Sequence, residues 1–386
     1  MNVAALTEGA AGRYDSAVAT LDDGRRVVVR APVDAEADGD LRAEARVLRA
    51  LTPGVRAVLP FEGPEILGDG VIDGSSVIVQ TWLPGYRVDA AHVPAGPGVA
   101  DVLGRALAAV HELPTTVVRD AGVPTMTATQ VRDEAERLLD RAEATGRLPF
   151  GLLRRWSAAL AADALWRFES TVTLGGVDPA SFLLADDADG APAVTGLLHW
   201  GGLSVGDPAV DLRWLASAPD ARVDVLDAYS AASPRSVDAA LGERARLHAE
   251  LEFASWLAHG HAIGAESVVA DAVALLEALD ESVRDAPPLA HDTITVDDAI
   301  AVLGRVAETS AVDTSMQTDT YDADSLAEYT VDDSAVAATD AADIETAPIE
   351  LSDWAPQLPS HDDVDHGSDD PDVAARNALR RWTETG

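Results

Sequence analysis

The feature that most constrains this 386-residue chain is one β-type island inside a helical stretch. From Thr171 to Trp200 it reads "TVTLGGVDPASFLLADDADGAPAVTGLLHW", two apolar runs joined by an acidic turn, Asp186 to Gly190. Around it the apolar residues recur three and four apart: "VADVLGRALAAVHEL" and "LRRWSAALAADALWRF" before it, "ERARLHAELEFASWLAHGHA" after it. The first 85 residues have the opposite bias. There "DSAVATLDDGRRVVVRAP" is two β-rich runs around Asp23-Gly24, a hairpin turn signal. A further strand, "SSVIVQTWLPG" (Ser75 to Gly85), ends in a Pro-Gly break. Between them "DLRAEARVLRAL" reads as a helix capped by Asp40, with Leu41, Ala45, Leu48 and Leu51 at helical spacing. The class expected is α+β: a small β-rich lobe over 1–85 and a mainly helical lobe over 86–286 that carries the hairpin.

Composition narrows the chemistry. A 47% hydrophobic content at this length supports a large core. There is no cysteine, which excludes disulfides and thiolate metal sites. All 28 basic residues are arginine, so no mechanism here can use a lysine. The net charge of −38 argues against binding nucleic acid. Half of that charge lies in residues 287–386, which hold 23 acidic residues against 4 arginines. This segment is rich in Asp, Ala, Thr and Ser and is expected to be mostly disordered. One helix is expected in it over 295–308, where Val296, Ile300, Leu303 and Val306 share a face. Its polyanionic character, with islands at Trp354 and Trp382, suits either a basic protein partner or a merely solubilising tail. No apolar run approaches the roughly 20 residues that span a bilayer, and the start lacks a basic-then-apolar leader. The expectation is a soluble, cytoplasmic protein with no membrane contact.

The chemistry should sit where the β island meets the next helix. "LLHWGGLSVGDPAVDLRWL" (197–215) reads as a buried strand through Trp200, a glycine loop, and a helix with Asp207 as N-cap and Pro208 in its first position. "LGGVDPAS" (174–181), "LHWG" (198–201) and "GDPAVDL" (206–212) together resemble the aminoglycoside phosphotransferase family. That family's pattern is His-Gly-Asp-Leu-x-Pro-x-Asn, a hairpin, Ile-Asp-Trp-Gly, then Gly-Asp-Pro-x-x-Asp-Leu. Gly175, Pro179, Trp200, Gly201, Gly206, Asp207, Pro208 and Asp211 match it. "VVVRAP", "AEARVL", "QTWLPG" and "LGRALAAVHEL" fall upstream in the family's order. The resemblance implies a two-lobed, protein-kinase-like fold. It also implies ATP or another nucleotide as cofactor and a small molecule in the interlobe cleft. Arg30 stands at the phosphate-reaching position, Glu44 at the helix glutamate that pairs with it, and Gln80, Thr81, Trp82 and Leu83 at the hinge that would hold the base.

The departures fall on the reacting positions. In the family an aspartate orients the attacking hydroxyl and takes its proton, while an asparagine and a second aspartate hold Mg²⁺. Here the matching residues are Gly176, Ser181 and His199. Glycine cannot accept a proton, and Mg²⁺ prefers carboxylate oxygen to a hydroxyl or an imidazole. The leading expectation is therefore a pseudokinase that binds a nucleotide or partner, with no metal expected. The alternatives are an active ATP-dependent phosphotransferase with Asp178 as a relocated base, and a partner-binding protein acting through its acidic tail. His259 and His261 ("HGH") offer a second metal motif, read instead as a polar helix end.

Overall fold

The Asp23-Gly24 turn does what its sequence demands: Gly24 takes φ +84°, and strands β2 (Tyr14–Thr20) and β3 (Arg26–Pro32) pair antiparallel about it. In this computed structural model residues 2–7, 13–72, 74–119, 122–235 and 237–289 are described. The helix expected over 295–308, Trp354 and Trp382 lie outside the described residues. With β1 (Asn2–Thr7), the two strands belong to a five-stranded antiparallel sheet of order β1-β2-β3-β5-β4. Strand alternation alone did not reveal β1 or β4 (Ile66–Ile72), the latter because two glycines dilute its apolar residues. Strand β5 (Ser75–Thr81) lies between β3 and β4.

Helix α1 (Ala35–Ala50) starts a turn and a half earlier than Asp40. Asp34, in extended conformation, accepts a bond from the Ala37 amide at 2.8 Å and caps it. Gly39 is carried inside the helix at a cost of about 1 kcal/mol. Short α2 (Pro53–Val58) brings Arg56 against the end of α1, where it donates to the carbonyls of Leu48, Leu51, Gly63 and Pro64.

The helical part comprises α3 (Val99–His111), α4 (Thr115–Arg119), α5 (Ala128–Ala144), α6 (Phe150–Ala161), α7 (Arg222–Ala232), α8 (Leu241–Ala262) and α9 (Glu266–Val283). The β island is split differently from its sequence pattern. Strand β6 (Thr171–Thr173) pairs not with its successor but with β9 (Ser204–Gly206), while β7 (Phe182–Asp186) pairs with β8 (Pro192–Leu197). The reason is the glycine pair between β6 and β7, since Gly175 and Gly176 both take positive φ and turn the chain. Strand β8 ends at Leu197, so Leu198, His199 and Trp200 form a loop rather than the end of a strand.

The two halves share a core in which Leu48 and Phe61 pack with Leu107, Phe182, Trp200 and Leu212. A second core, around Trp156, Leu247, Leu257 and Leu276, holds α5, α6, α8 and α9 together. The connection between halves is tied down as well. Gly85 has φ +146°, and a Cβ there would stand 2.8 Å from that of Leu183. The next residue, Tyr86, exchanges two backbone bonds with Leu184, both at 2.8 Å. Among the described residues no helix is long and apolar enough to cross a membrane.

Candidate functional site

The predicted partners Arg30 and Glu44 meet. Arg30 Nη1, on β3, donates to Glu44 Oε2, on α1, at 2.9 Å, and both side chains are at most 5% exposed. Glu44 lies on the apolar face of α1 beside Leu41 and Leu48, which is why it needs a buried cation. The Arg30 guanidinium also stands 4.4 Å over the Tyr14 ring. Burial pushes the Tyr14 phenol up to about 12, against the pull of Arg30. Glu44 Oε1 has no hydrogen-bond partner among the described residues, and neither does the buried Gln80 Oε1. The other hinge residues face different neighbours: Thr81 Oγ1 accepts from the Glu65 amide at 2.9 Å, and Trp82 carries the Arg26 guanidinium on its ring at 3.3 Å. Leu83 packs beside Gly196 of the hairpin.

Across from this pair lies the loop Leu174–Ser181, and its backbone is held by one carboxylate. Asp211 is fully buried. Its oxygens accept the amides of Leu174 and Gly176 at 2.6 Å each, with Val177 at 3.4 Å. His111 Nε2, 3.1 Å from Asp211, completes the set, and its Nδ1 lies 2.8 Å from Tyr229 Oη. Because a carboxylate only accepts, Nε2 carries the hydrogen of the bond to Asp211. Sequence spacing placed Asp211 in the motif but gave no sign of His111 or Tyr229.

The neighbouring loop approaches backbone to backbone. A Cβ on Gly175 would lie 2.7 Å from the Gly202 carbonyl oxygen, and one on Gly202 would collide with the Leu174 carbonyl. Gly202→Ala is expected to cost about 2 kcal/mol, read as a lowered urea midpoint. Gly201→Ala, whose Cβ would meet only Glu44 Cβ at 3.6 Å, serves as the tolerated control. Equal midpoints for the two variants would refute this account of the loop contact. Trp200, fully buried, donates from Nε1 to the Leu197 carbonyl at 2.8 Å and presses its ring on Gly63.

The three replaced positions are each accounted for. Gly176 has φ +97°, and a Cβ there would stand 2.5 Å from Cζ and 2.8 Å from Nε of Arg213. A guanidinium therefore fills the space that the first atom of a side chain at position 176 would take. Ser181 and His199 bond to each other, Oγ to Nδ1 at 2.8 Å. Mg²⁺ requires a set of oxygen donors, carboxylates foremost. The residues here are a glycine under a cation, a hydroxyl engaged by an imidazole, and that imidazole, so they do not fit Mg²⁺. No group of three or more His, Asp or Glu side chains placed to hold a metal occurs among the described residues. His259 and His261 lie in the last turn of α8, where a helix end favours positive charge.

Asp178 does not share an extended strand with Gly176. Its Oδ1 accepts the Ala180 amide at 2.8 Å and caps the 3₁₀ turn Pro179–Ser181, with Pro179 first. Asp207 likewise caps the 3₁₀ segment Pro208–Ser217, accepting the Ala209 amide at 3.0 Å, with Pro208 first. Its other oxygen is 2.9 Å from both Arg244 Nε and His248 Nε2 on α8. Burial alone would raise the Asp207 pKa, but His248 and Arg244 outweigh it and hold the carboxyl at about 2.

Comparison with known proteins agrees with this fold. The profile of the phosphotransferase enzyme family (APH) matches residues 6–240. Macrolide 2′-phosphotransferase MphH from Brachybacterium faecium is similar in structure, with a TM-score of 0.59 and 24% identity over 70% of this chain and 89% of that one. A macrolide 2′-phosphotransferase of type I gives 0.56 and 26%, over 70% and 90%. The GDP complex of aminoglycoside 2′-phosphotransferase-IIIa gives 0.59 and 18%, over 74% and 94%. No curated protein sequence matches the chain. A family profile covering more than half of the residues, over a two-lobed architecture shared with these enzymes, leads to one assignment: the chain belongs to the phosphotransferase enzyme family (APH).

Proposed function

We propose that this protein binds a nucleotide or another small molecule between its lobes and does not carry out metal-dependent phosphoryl transfer. One observation carries the reading: the base position holds Gly176 beneath the Arg213 guanidinium, while the two metal-ligand positions are bonded to each other. Phosphoryl transfer in kinase-like folds relies on positioning and on cations that neutralise the transferred group, and a base or orienting group must stand at the nucleophile. Glycine supplies none of that. The ligand side of the reading is supported by the buried acceptors Glu44 Oε1 and Gln80 Oε1, which have no hydrogen-bond partner among the described residues. A nucleotide is the first ligand to test, because the similar aminoglycoside 2′-phosphotransferase-IIIa holds GDP.

The test is thermal unfolding of the full chain with ATP in EDTA and with ATP plus Mg²⁺, beside a measurement of ATP consumption. At about 100 times its dissociation constant a ligand stabilises by roughly 2.7 kcal/mol, a shift of a few degrees. The expected result is a shift that Mg²⁺ does not increase, with no ATP consumed when hydroxyl-bearing aminoglycosides or macrolides are added. Mg²⁺-dependent consumption that Asp178→Ala abolishes would overturn the proposal in favour of an active enzyme. Under the present reading that variant loses a turn cap, about 1 kcal/mol, and no ATP-consuming activity.

A further inference from the structure

We propose that Arg213 makes the vacated base position a binding site for an anionic group, a phosphate or a carboxylate held without a metal ion. The inference rests on the ligand-binding reading above and names what the site would hold. In the family pattern this point of the loop carries a negative charge that faces the attacking hydroxyl. Here the sign is reversed, because Arg213 Cζ lies 2.5 Å from where a Cβ on Gly176 would stand. The two positions are close enough to be coupled: a side chain at position 176 would have to displace the flexible end of Arg213, which glycine leaves in place.

Arg213 remains available for a ligand. Its side chain is 30% exposed, and among the described residues its ion-pair partner is Glu252, 3.2 Å from Nη2. An ion pair this exposed contributes little, and a guanidinium has five donors in a planar fork that suits oxyanions. The surrounding carboxylates are otherwise occupied. Asp211 is fully buried with its oxygens on the Leu174, Gly176 and His111 donors, and Asp178 Oδ1 is engaged by the Ala180 amide. Ser181 and His199 add no negative charge of the kind that an aspartate and its metal would bring. With Arg30 already buried against Glu44, a metal-free anion has Arg213 as its exposed cation in this loop region.

The experiment is a calorimetric titration of the full chain in EDTA at constant ionic strength, with inorganic phosphate in one arm and acetate in the other. Saturable binding in at least one arm is expected, and the arm that binds identifies the anion class. Arg213→Gln should weaken it about tenfold or more, since hydrogen bonds to charged groups are the strong ones. Arg213→Lys should retain part of the affinity. Glu252→Gln should tighten binding severalfold by removing the competing carboxylate, a gain that a purely structural Arg213–Glu252 contact cannot produce. Equal affinity in wild type and Arg213→Gln, or no saturable binding in either arm, would overturn the site. If Arg213→Gln fails to fold, the opposite shifts in Arg213→Lys and Glu252→Gln decide the question. Failure here is distinct from failure of the proposed function, which is decided by Mg²⁺-dependent ATP consumption.

Discussion

Asp211→Ala is expected to lose about 4 kcal/mol of stability, a large share of the 5–15 kcal/mol typical of a folded domain. The carboxylate is fully buried and is the common acceptor for the Leu174, Gly176 and Val177 amides and for His111. Alanine would leave those donors without their common acceptor, and the bonds from Leu174 and His111 are buried, where an unmade bond carries its full desolvation penalty. The change should appear as a lowered urea midpoint and as faster hydrogen exchange at the Leu174 and Gly176 amides. Asp211→Asn should fall between the two proteins, because it keeps one acceptor oxygen but turns an N–H toward existing donors. A loss below about 1 kcal/mol for Asp211→Ala would mean that the loop is held by something other than this carboxylate.

Arg244→Met should be comparably damaging, about 3–5 kcal/mol, because it strands a buried anion. Arg244 is fully buried and donates to Asp207 at 2.9 Å, to both oxygens of Asp238 at 2.7 and 3.0 Å, and to the Leu165 carbonyl at 3.2 Å. Its guanidinium also lies 4.4 Å over the Phe168 ring. Methionine fills the volume but leaves Asp207 with only His248 and the Ala209 amide. The same pair shapes the acid response. Asp207 has a folded pKa of about 2 against 3.8 in its ordinary state, so its contribution is complete above about pH 4. That contribution, on the order of 2 kcal/mol, should disappear as the pH falls from about 4 through 2. In Arg244→Met the Asp207 carboxyl loses much of its stabilising charge, so this part of the acid loss should shrink. Urea midpoints at a series of pH values from 2 to 6 check both statements; an unchanged acid slope in the variant would assign the depression to His248.

Much of the architecture was legible because its signals are local. The Asp23-Gly24 turn, the Asp207-Pro208 helix start and the apolar face of α1 each depend on a few consecutive residues, and each is present. Glu44 on that apolar face announced its need for a cation, and Arg30 answers it. The misreadings were local ambiguities of the same kind. Asp34 and Asp40 are both acceptable caps, and only the extended backbone at Asp34 selects the first. The apolar run through Trp200 looks like a strand, but its last three residues leave β8, and His199 turns to Ser181.

The candidate site divides along the same line. That positions 176, 181 and 199 hold a glycine, a hydroxyl and an imidazole can be read directly from the sequence, and each has fixed chemical limits wherever it sits. What lies against them cannot be read that way. Arg213 lies 37 positions beyond Gly176 in a segment whose pattern records only a helix start, and His111 reaches Asp211 from 100 positions away. Periodicity and turn chemistry act between near neighbours along the chain. Steric exclusion, ion pairing and burial act between whatever the core brings together, and only the packed chain could place a cation on Gly176 and close Ser181 against His199.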